Sequence, residues 1–273
     1  MTPPGPHPPQ RILVIAPSRH PIREPHAGGL EAVVWDRVRR LRAAGHVVTL
    51  VAARGSDFLD RTPRRLRMPP VSWGPGHASD EAFPPGYLDA VDVVHHRLVE
   101  HLRDHRDAYD LVDSHSLHPI PLLGSGVHGI PMITTLHTPP LPELVEAARH
   151  AGPRHAFVAV SAFTAARWRE AGVHASVLAN PGDGAAWPQG AGGTGLVWFG
   201  RIVPEKGTHL AMDAAGLLGR PLAVAGRVGD PAYLAREVMP RVREDVALLG
   251  PLRRQRLAAL VGGSGCALVT PRW

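Results

Sequence analysis

The stretch Leu196-Val197-Trp198-Phe199-Gly200-Arg201-Ile202-Val203-Pro204-Glu205-Lys206-Gly207, followed by Thr208 to Leu218, decides the fold. Its first four residues are an apolar run of strand length, and Thr208 to Leu218 reads as a helix. Between them lies a loop carrying two cations, Arg201 and Lys206, around a Pro-containing turn. Strand, basic loop and helix N-terminus form a βα unit. The unpaired N–H groups and partial positive charge of a helix start, joined by two cations, suit a doubly charged phosphate group. An ordinary βα connection with solvated charges fits the same residues.

Outward from this stretch the pattern repeats. Toward the C-terminus the spacing predicts a strand at Pro221 to Ala225, a helix at Ala232 to Val242, a strand at Val246 to Leu249, a helix at Arg253 to Val261 and a strand at Cys266 to Thr270. Toward the N-terminus, Asn180 to Gly195 (NPGDGAAWPQGAGGTG) has no periodicity and reads as a domain linker. Before it the alternation appears again. Arg11 to Ala16 and Val47 to Ala52 read as buried strands, joined through a helix that starts after Gly28-Gly29 and stops at Gly45. Further strands are expected at Leu111 to His115, Met132 to Leu136, Phe157 to Val160 and Ser176 to Ala179. Helices are expected at Gly86 to Asp107, Pro119 to Val127, Leu141 to His150 and Thr164 to Ala171. Phe58 to Pro85 reads as irregular. The organisation is a mobile Pro-rich tail over residues 1–10, an α/β domain over 11–183, a linker over 184–195 and part of a second α/β domain over 196–273.

Composition narrows the function classes. With 273 residues the chain can bury a sizeable core. Its net charge of +6 is spread along the chain, which admits phosphorylated small molecules and leaves peripheral contact with an anionic membrane surface open. No nucleic-acid-binding motif and no interleaving of aromatic and basic residues is found, so nucleic acid is not expected as a partner. One cysteine, Cys266, allows no internal disulfide and fits a reducing, cytoplasmic compartment. No apolar stretch has the length of a membrane span, no leader segment is read at the N-terminus, and no oligomer signal is present.

Candidate site residues follow from strand ends, where open parallel sheets bind ligands. His115 and His137 both fall there. Gly28 and Gly29 stand at a helix entrance, where glycine lets a ligand approach the backbone, although a plain flexible loop fits equally. They do not form G-x-G-x-x-G, so a dinucleotide fingerprint is not supported. His95, His96, His101 and His105 share one predicted helix. No acidic or cysteine partner completes a ligand set, and Arg97, Arg103 and Arg106 would repel a cation, so these histidines read as a solvated face rather than a metal site.

Six segments together carry a family resemblance: HAGGLEAVVWDRVRRLRAAGHVVTLVA (His26 to Ala52), PMITTLHT (Pro131 to Thr138), FVAVSAFTAARW (Phe157 to Trp168), VLANPGD (Val177 to Asp183), GLVWFGRIVPEKG (Gly195 to Gly207) and VALLGPLRRQRLAAL (Val246 to Leu260). In that order the chain resembles the retaining glycosyltransferases of family 4, whose GT-B fold holds two Rossmann-like doubly wound domains. The resemblance implies a nucleotide-diphosphate-sugar donor, an acceptor hydroxyl of unspecified kind, and no metal cofactor. It implies that Arg201 and Lys206 hold the donor diphosphate, with Gly28 and Gly29 near it. His137 would act as the catalytic residue beside the transferred sugar, and Gly200, Gly250 and Pro251 would line the nucleotide. Ser161 is a weaker match that also reads as a helix N-cap. Relatives continue from the strand ending at Thr270-Pro271 into two glutamates that contact the donor. This chain stops before them, which implies an incomplete second domain and an inactive or impaired truncated enzyme. Two further readings stand beside it: a non-catalytic nucleotide-sugar-binding or partner-docking fragment, and a nucleotide-sugar epimerase on a GT-B-like fold.

Overall fold

The computed structural model describes residues 8–73, 80, 82–180 and 182–272. The first seven residues of the expected tail, the middle of the Phe58 to Pro85 stretch and the terminal Trp273 therefore lie outside the described residues. The chain divides into two units that do not follow sequence order. Met1–Arg23, Leu30–Val71 and Pro85–Asn180 make the first; Glu24–Gly29, Ser72–Pro84 and Pro181–Trp273 make the second.

The first unit is built on six parallel strands: β1 (Arg11–Ile15), β2 (Val47–Val51), β3 (Leu111–Ser114), β4 (Met132–Leu136), β5 (His155–Ala159) and β6 (Ser176–Val177), in the order β2-β1-β3-β4-β5-β6. Helices α1 (Gly29–Ala43), α2 (Tyr87–Asp104), α3 (Pro119–Leu123), α4 (Ser125–His128), α5 (Pro142–Ala148) and α6 (Ala162–Glu170) supply the crossovers. Strand β1 shows why its sequence is a continuous apolar run. Ile12 and Val14 pack with Val34 and Val38 of α1, while Leu13 and Ile15 pack with Val94, Leu98 and Leu102 of α2. Side chains alternate faces with period two, and both faces are covered. The chain winds one way from β1 to β2 and the other way from β3 onward, so the sheet reverses direction between β1 and β3.

The second unit holds β7 (Leu196–Phe199), β8 (Leu222–Ala225), β9 (Val246–Gly250) and β10 (Cys266–Ala267), all parallel, in the order β10-β7-β8-β9. Its helices are α7 (Thr208–Leu218), α8 (Pro231–Tyr233) and α9 (Arg254–Gly262). Leu196 and Trp198 pack with Leu222, Val224 and the α7 residues Ala211, Met212 and Ala215. The reversal here falls between β7 and β10, so the loop after β7 opens at the crevice of the sheet.

Several expectations change in detail. Phe58 to Pro85 contains 3₁₀ turns at Leu59–Arg61 and Arg64–Leu66, and Met68 bridges Ala53. Pro119 to Val127 forms two short helices instead of one, separated at Gly124. The helix expected at Ala232 to Val242 is one turn of α8, then a π-turn at Leu234–Val238 and a 3₁₀ turn at Met239–Arg241, because Pro240 lacks the N–H that would continue it. Of the four histidines expected on a solvated face, His96 and His105 are exposed and the other two are not. His95 and His101 are buried, since they fall on the same stripe as Val91, Val94, Leu98 and Leu102. His95 stacks on His118, and His101 bonds the Tyr109 hydroxyl. Cys266 is exposed, at an edge of the second sheet. Among the described residues no helix is long and apolar enough to cross a membrane.

Candidate functional site

In the second unit two loops leave adjacent strands in step. β7 continues as Gly200-Arg201-Ile202, and β8 continues as Gly226-Arg227-Val228. Both glycines have positive φ, near 156° and 155°. A Cβ on Gly226 would run into the Gly200 carbonyl oxygen, so the two loops touch through their backbones. They stay in register beyond the strands: the Ile202 N–H donates to the Arg227 carbonyl at 2.9 Å, and Ile202 bridges Val228. Arg201 and Arg227 thereby emerge side by side.

Both guanidiniums converge on one carboxylate. Arg201 Nη1 donates to Asp80 Oδ2 at 2.7 Å, and Arg227 Nη2 donates to the two Asp80 oxygens at 2.8 and 2.7 Å. Burial alone would raise the Asp80 carboxyl, but the hydrogen bonds and charges of Arg201 and Arg227 outweigh it and hold it below its ordinary value. Arg201 Nη2 also reaches Glu205 at 3.2 Å, and Arg227 Nε donates to the Ala27 carbonyl at 2.8 Å. That last bond ties the strip Glu24–Gly29, with Gly28 and Gly29, to the second unit. Charge-assisted bonds to one carboxylate make this a ready anion-recognition point.

Lys206 closes the 3₁₀ turn Pro204–Lys206, directly before α7. Burial and the nearby Arg201 charge lower its ammonium below the ordinary value, with Glu205 acting in the opposite sense. Gly207, the N-cap of α7, sits at φ 65°, where a Cβ would strike the Thr270 carbonyl oxygen. Thr270 holds the loop from the other side. Its hydroxyl donates to the Gly207 carbonyl at 2.8 Å and accepts from Trp198 Nε1 at 3.1 Å. The loop that carries the two expected cations is thus clamped on rigid backbone. Gly250 ends β9 at φ 65° with exposed Pro251 after it, and Gly29 has open space where a Cβ would stand.

In the first unit β3 and β4 are neighbours, and each ends in a histidine. His115 follows β3, anchored by its N–H on the Ile15 carbonyl at 2.8 Å. His137 follows β4, and the next loop is pinned where Trp168 Nε1 donates to the Thr138 carbonyl at 2.7 Å. His115 Nδ1 lies 2.8 Å from His137 Nε2. His115 Nε2 lies 3.4 Å from Asp113 Oδ1, and Arg37 Nε bonds Asp113 Oδ2 at 2.5 Å. Asp113 and His115 are fully buried, while His137 is partly exposed. Burial would raise the Asp113 carboxyl, but His115 and Arg37 hold it below its ordinary value. Burial drives His137 down to about 3, against the pull of Asp113, so His137 is neutral at neutral pH.

Ser161 caps α6, accepting from the Thr164 N–H at 3.1 Å. Among the described residues no group of three His, Cys, Asp or Glu is placed to hold a metal ion. Sequence reasoning passed over Arg227, Asp80, Asp113 and Arg37. A signal for Arg227 was present: Gly-Arg follows each of two successive apolar strands, Phe199-Gly200-Arg201 and Ala225-Gly226-Arg227. Asp80 carried no such mark, lying in an aperiodic stretch.

The model of Glycosyltransferase Family 4 matches residues 27–183. No curated protein matches the sequence. Among solved structures the chain is similar to AviGT4, a glycosyltransferase involved in avilamycin A biosynthesis, with 22% identity, a TM-score of 0.61, and coverage of 97% of this chain and 70% of that one. It is similar to the catalytic domain of starch synthase IV from Arabidopsis thaliana bound to ADP and acarbose, with 11% identity, a TM-score of 0.64, and coverage of 96% and 78%. It is also similar to the lipopolysaccharide outer core galactosyltransferase WaaB, with 12% identity, a TM-score of 0.53, and coverage of 95% and 74%.

Proposed function

The chain belongs to glycosyltransferase family 4 and has a GT-B-type α/β fold, and from that premise we propose that it transfers a sugar from a nucleotide-diphosphate-sugar donor to an acceptor hydroxyl, with retention at the anomeric carbon. The observation that carries this reading is the convergence of Arg201 and Arg227 on one carboxylate, at the crevice of the second sheet, with Lys206 at the start of α7. Asp80 marks where an anionic oxygen is held. In the proposed reaction that place belongs to the donor diphosphate. Negative charge grows on the diphosphate as the glycosidic bond breaks, and fixed cations lower the energy of that step. The cations are preorganised by the backbone contact of Gly200 with Gly226 and by the Thr270 latch, so they need no rearrangement when charge develops. The ADP bound by the starch synthase neighbour is in keeping with a nucleotide ligand on this fold.

In this reading Gly28 and Gly29 border the diphosphate, Gly200, Gly250 and Pro251 border the nucleotide, and His137 hydrogen-bonds the transferred sugar. The donor base and sugar are to be found by a panel of nucleoside diphosphates and their sugars. Binding of UDP, ADP and GDP by calorimetry tests the clamp. Arg201→Ala and Lys206→Ala should each weaken the preferred nucleotide about tenfold, and the loss should grow as salt is lowered. Unchanged affinity in both variants would falsify the diphosphate assignment. Transfer or hydrolysis of the matching sugar nucleotide distinguishes turnover from binding alone, and a product with an inverted sugar hydroxyl would mark an epimerase.

A further inference from the structure

We propose that His115 is a positioning residue. With Asp113 behind it, His115 holds neutral His137 in the tautomer whose Nε2 carries the proton and whose Nδ1 is a bare acceptor for a sugar hydroxyl. The inference rests on the reading of His137 as the residue beside the transferred sugar.

The ring hydrogens lie along one line. The 2.8 Å contact between His115 Nδ1 and His137 Nε2 needs one proton, supplied by one ring or the other. His115 Nε2 and Asp113 Oδ1 are both buried, and neither meets hydrogen-bond geometry with any described residue. They face each other at 3.4 Å. An ionised carboxylate only accepts, so the His115 proton belongs on Nε2. Arg37 donates to the other oxygen of Asp113 and keeps the carboxylate ionised. His115 Nδ1 is then bare, and the proton in the 2.8 Å contact comes from His137 Nε2. Because His137 is neutral, its Nδ1 is left as a lone pair. That atom bonds to no described residue, and the ring is partly exposed. Without His115 and Asp113 nothing would select one neutral tautomer of His137, and a share of the molecules would present an N–H where an acceptor is needed.

Arg37 also makes the test sharp. In Asp113→Asn the Arg37 N–H still requires an oxygen, so the amide NH₂ turns toward His115 Nε2. His115 Nε2 must then be bare, its Nδ1 carries the proton and donates to His137 Nε2, and His137 carries its own proton on Nδ1. One nearly isosteric change reverses every hydrogen in the line. The experiment is ¹⁵N–¹H correlation spectroscopy of the histidine rings in the full chain, with His137 assigned by its loss in His137→Gln.

The parent should show His137 protonated on Nε2, and Asp113→Asn should move that proton to Nδ1. With the preferred sugar nucleotide, Asp113→Asn and His115→Leu should lower kcat at least about tenfold, with KM for the donor within about threefold of the parent. His115→Asn puts an amide oxygen where Nδ1 stood, and should retain the parent tautomer and most of the turnover. A parent protonated on Nδ1, or an Asp113→Asn spectrum identical to the parent's, overturns the proposal. The expected tautomer flip with unchanged kcat overturns it too, because His137 would then not act through that atom. The spectra need no donor, so they stand apart from the diphosphate reading, which nucleotide affinity in Arg201→Ala reports separately. If Asp113→Asn fails to fold, the parent spectrum and His115→Asn decide.

Discussion

The two clusters solve opposite electrostatic problems. Asp113, His115 and His137 sit at the ends of β3 and β4 with Arg37 paired to Asp113, and their contacts are directional and mostly buried. Arg201, Arg227, Asp80, Glu205 and Lys206 crowd charges at the end of β7 and β8, with the two guanidiniums about a third and a fifth exposed. Burial in the first cluster makes protonation state the controlled variable, since an extra charge there is costly. Partial exposure in the second leaves its guanidiniums open to solvent, so that occupancy of the place Asp80 takes is the variable in the proposed reading. One cluster is set by hydrogens and the other by which anion is present.

Acid should separate the two clusters most widely. Burial depresses six histidines of the first unit, four of them far below an ordinary 6.5: His95 and His137 to about 3, and His128 and His155 to about 4, with His101 and His118 lowered as well. A folded pKa below the unfolded one means that the unfolded chain binds more protons, so stability falls as pH drops from about 6.5 toward 4. Each such histidine contributes about 1.4 kcal/mol per pH unit across that window. Asp80 of the second unit has the same sign but a lower window: its contribution is complete above 3.8 and is lost only as pH falls through its depressed value. Between pH 7 and pH 5 the first unit should lose several kcal/mol and the second almost none. Hydrogen exchange of the β4 and β7 amides, corrected for intrinsic rate, measures both at once, and equal losses would contradict the assignment.

A backbone change comes next in size. Gly226→Ala puts a methyl against the Gly200 carbonyl at a positive φ, and should destabilise the second unit by about 2 kcal/mol or more in urea titration while leaving the His137 spectrum untouched. Arg227→Ala should weaken nucleoside diphosphate binding about tenfold, as Arg201→Ala does. A loss confined to Arg201→Ala would mean that Arg227 only braces Ala27 and Asp80. The smallest effect is expected at Asp80. Asp80→Asn removes the carboxylate that occupies both guanidiniums, so diphosphate should bind about threefold tighter at low salt, an advantage that fades at high salt. Weaker binding would make Asp80 a brace that holds the arginines in place.

The legible and illegible parts divide by range along the chain. Strand β1, helix α1 and the β7–loop–α7 unit were readable because apolar period and glycine stops are local. His137 and Arg201 could be marked as candidates because strand ends in parallel sheets are where ligands bind. The α2 histidines were misread because composition does not say which face of a helix is covered: His95 lies on the stripe that meets β1, and its neighbour His96 lies outside it. The partners of the site residues were the hardest part. Asp80 is 121 residues from Arg201 and 147 from Arg227.

Local spacing along the chain set the alternation of strands and helices, the place of Arg201 and Lys206 before a helix start, and the positions of His115 and His137 at strand ends. These depend on residues within a few positions of each other. Only the tertiary structure decided that Arg227 stands beside Arg201, that one carboxylate answers both, and that Asp113 and His115 stand in line behind His137. Hydrogen bonds and ion pairs are fixed by distance in space, and the strand order that brings β3 beside β4, and β7 beside β8, sets those distances. The loop Gly200 to Gly207 therefore supplies one of the two guanidiniums that meet at Asp80, and a second Gly-Arg pair 26 residues further along the chain, since 227 − 201 = 26, supplies the other.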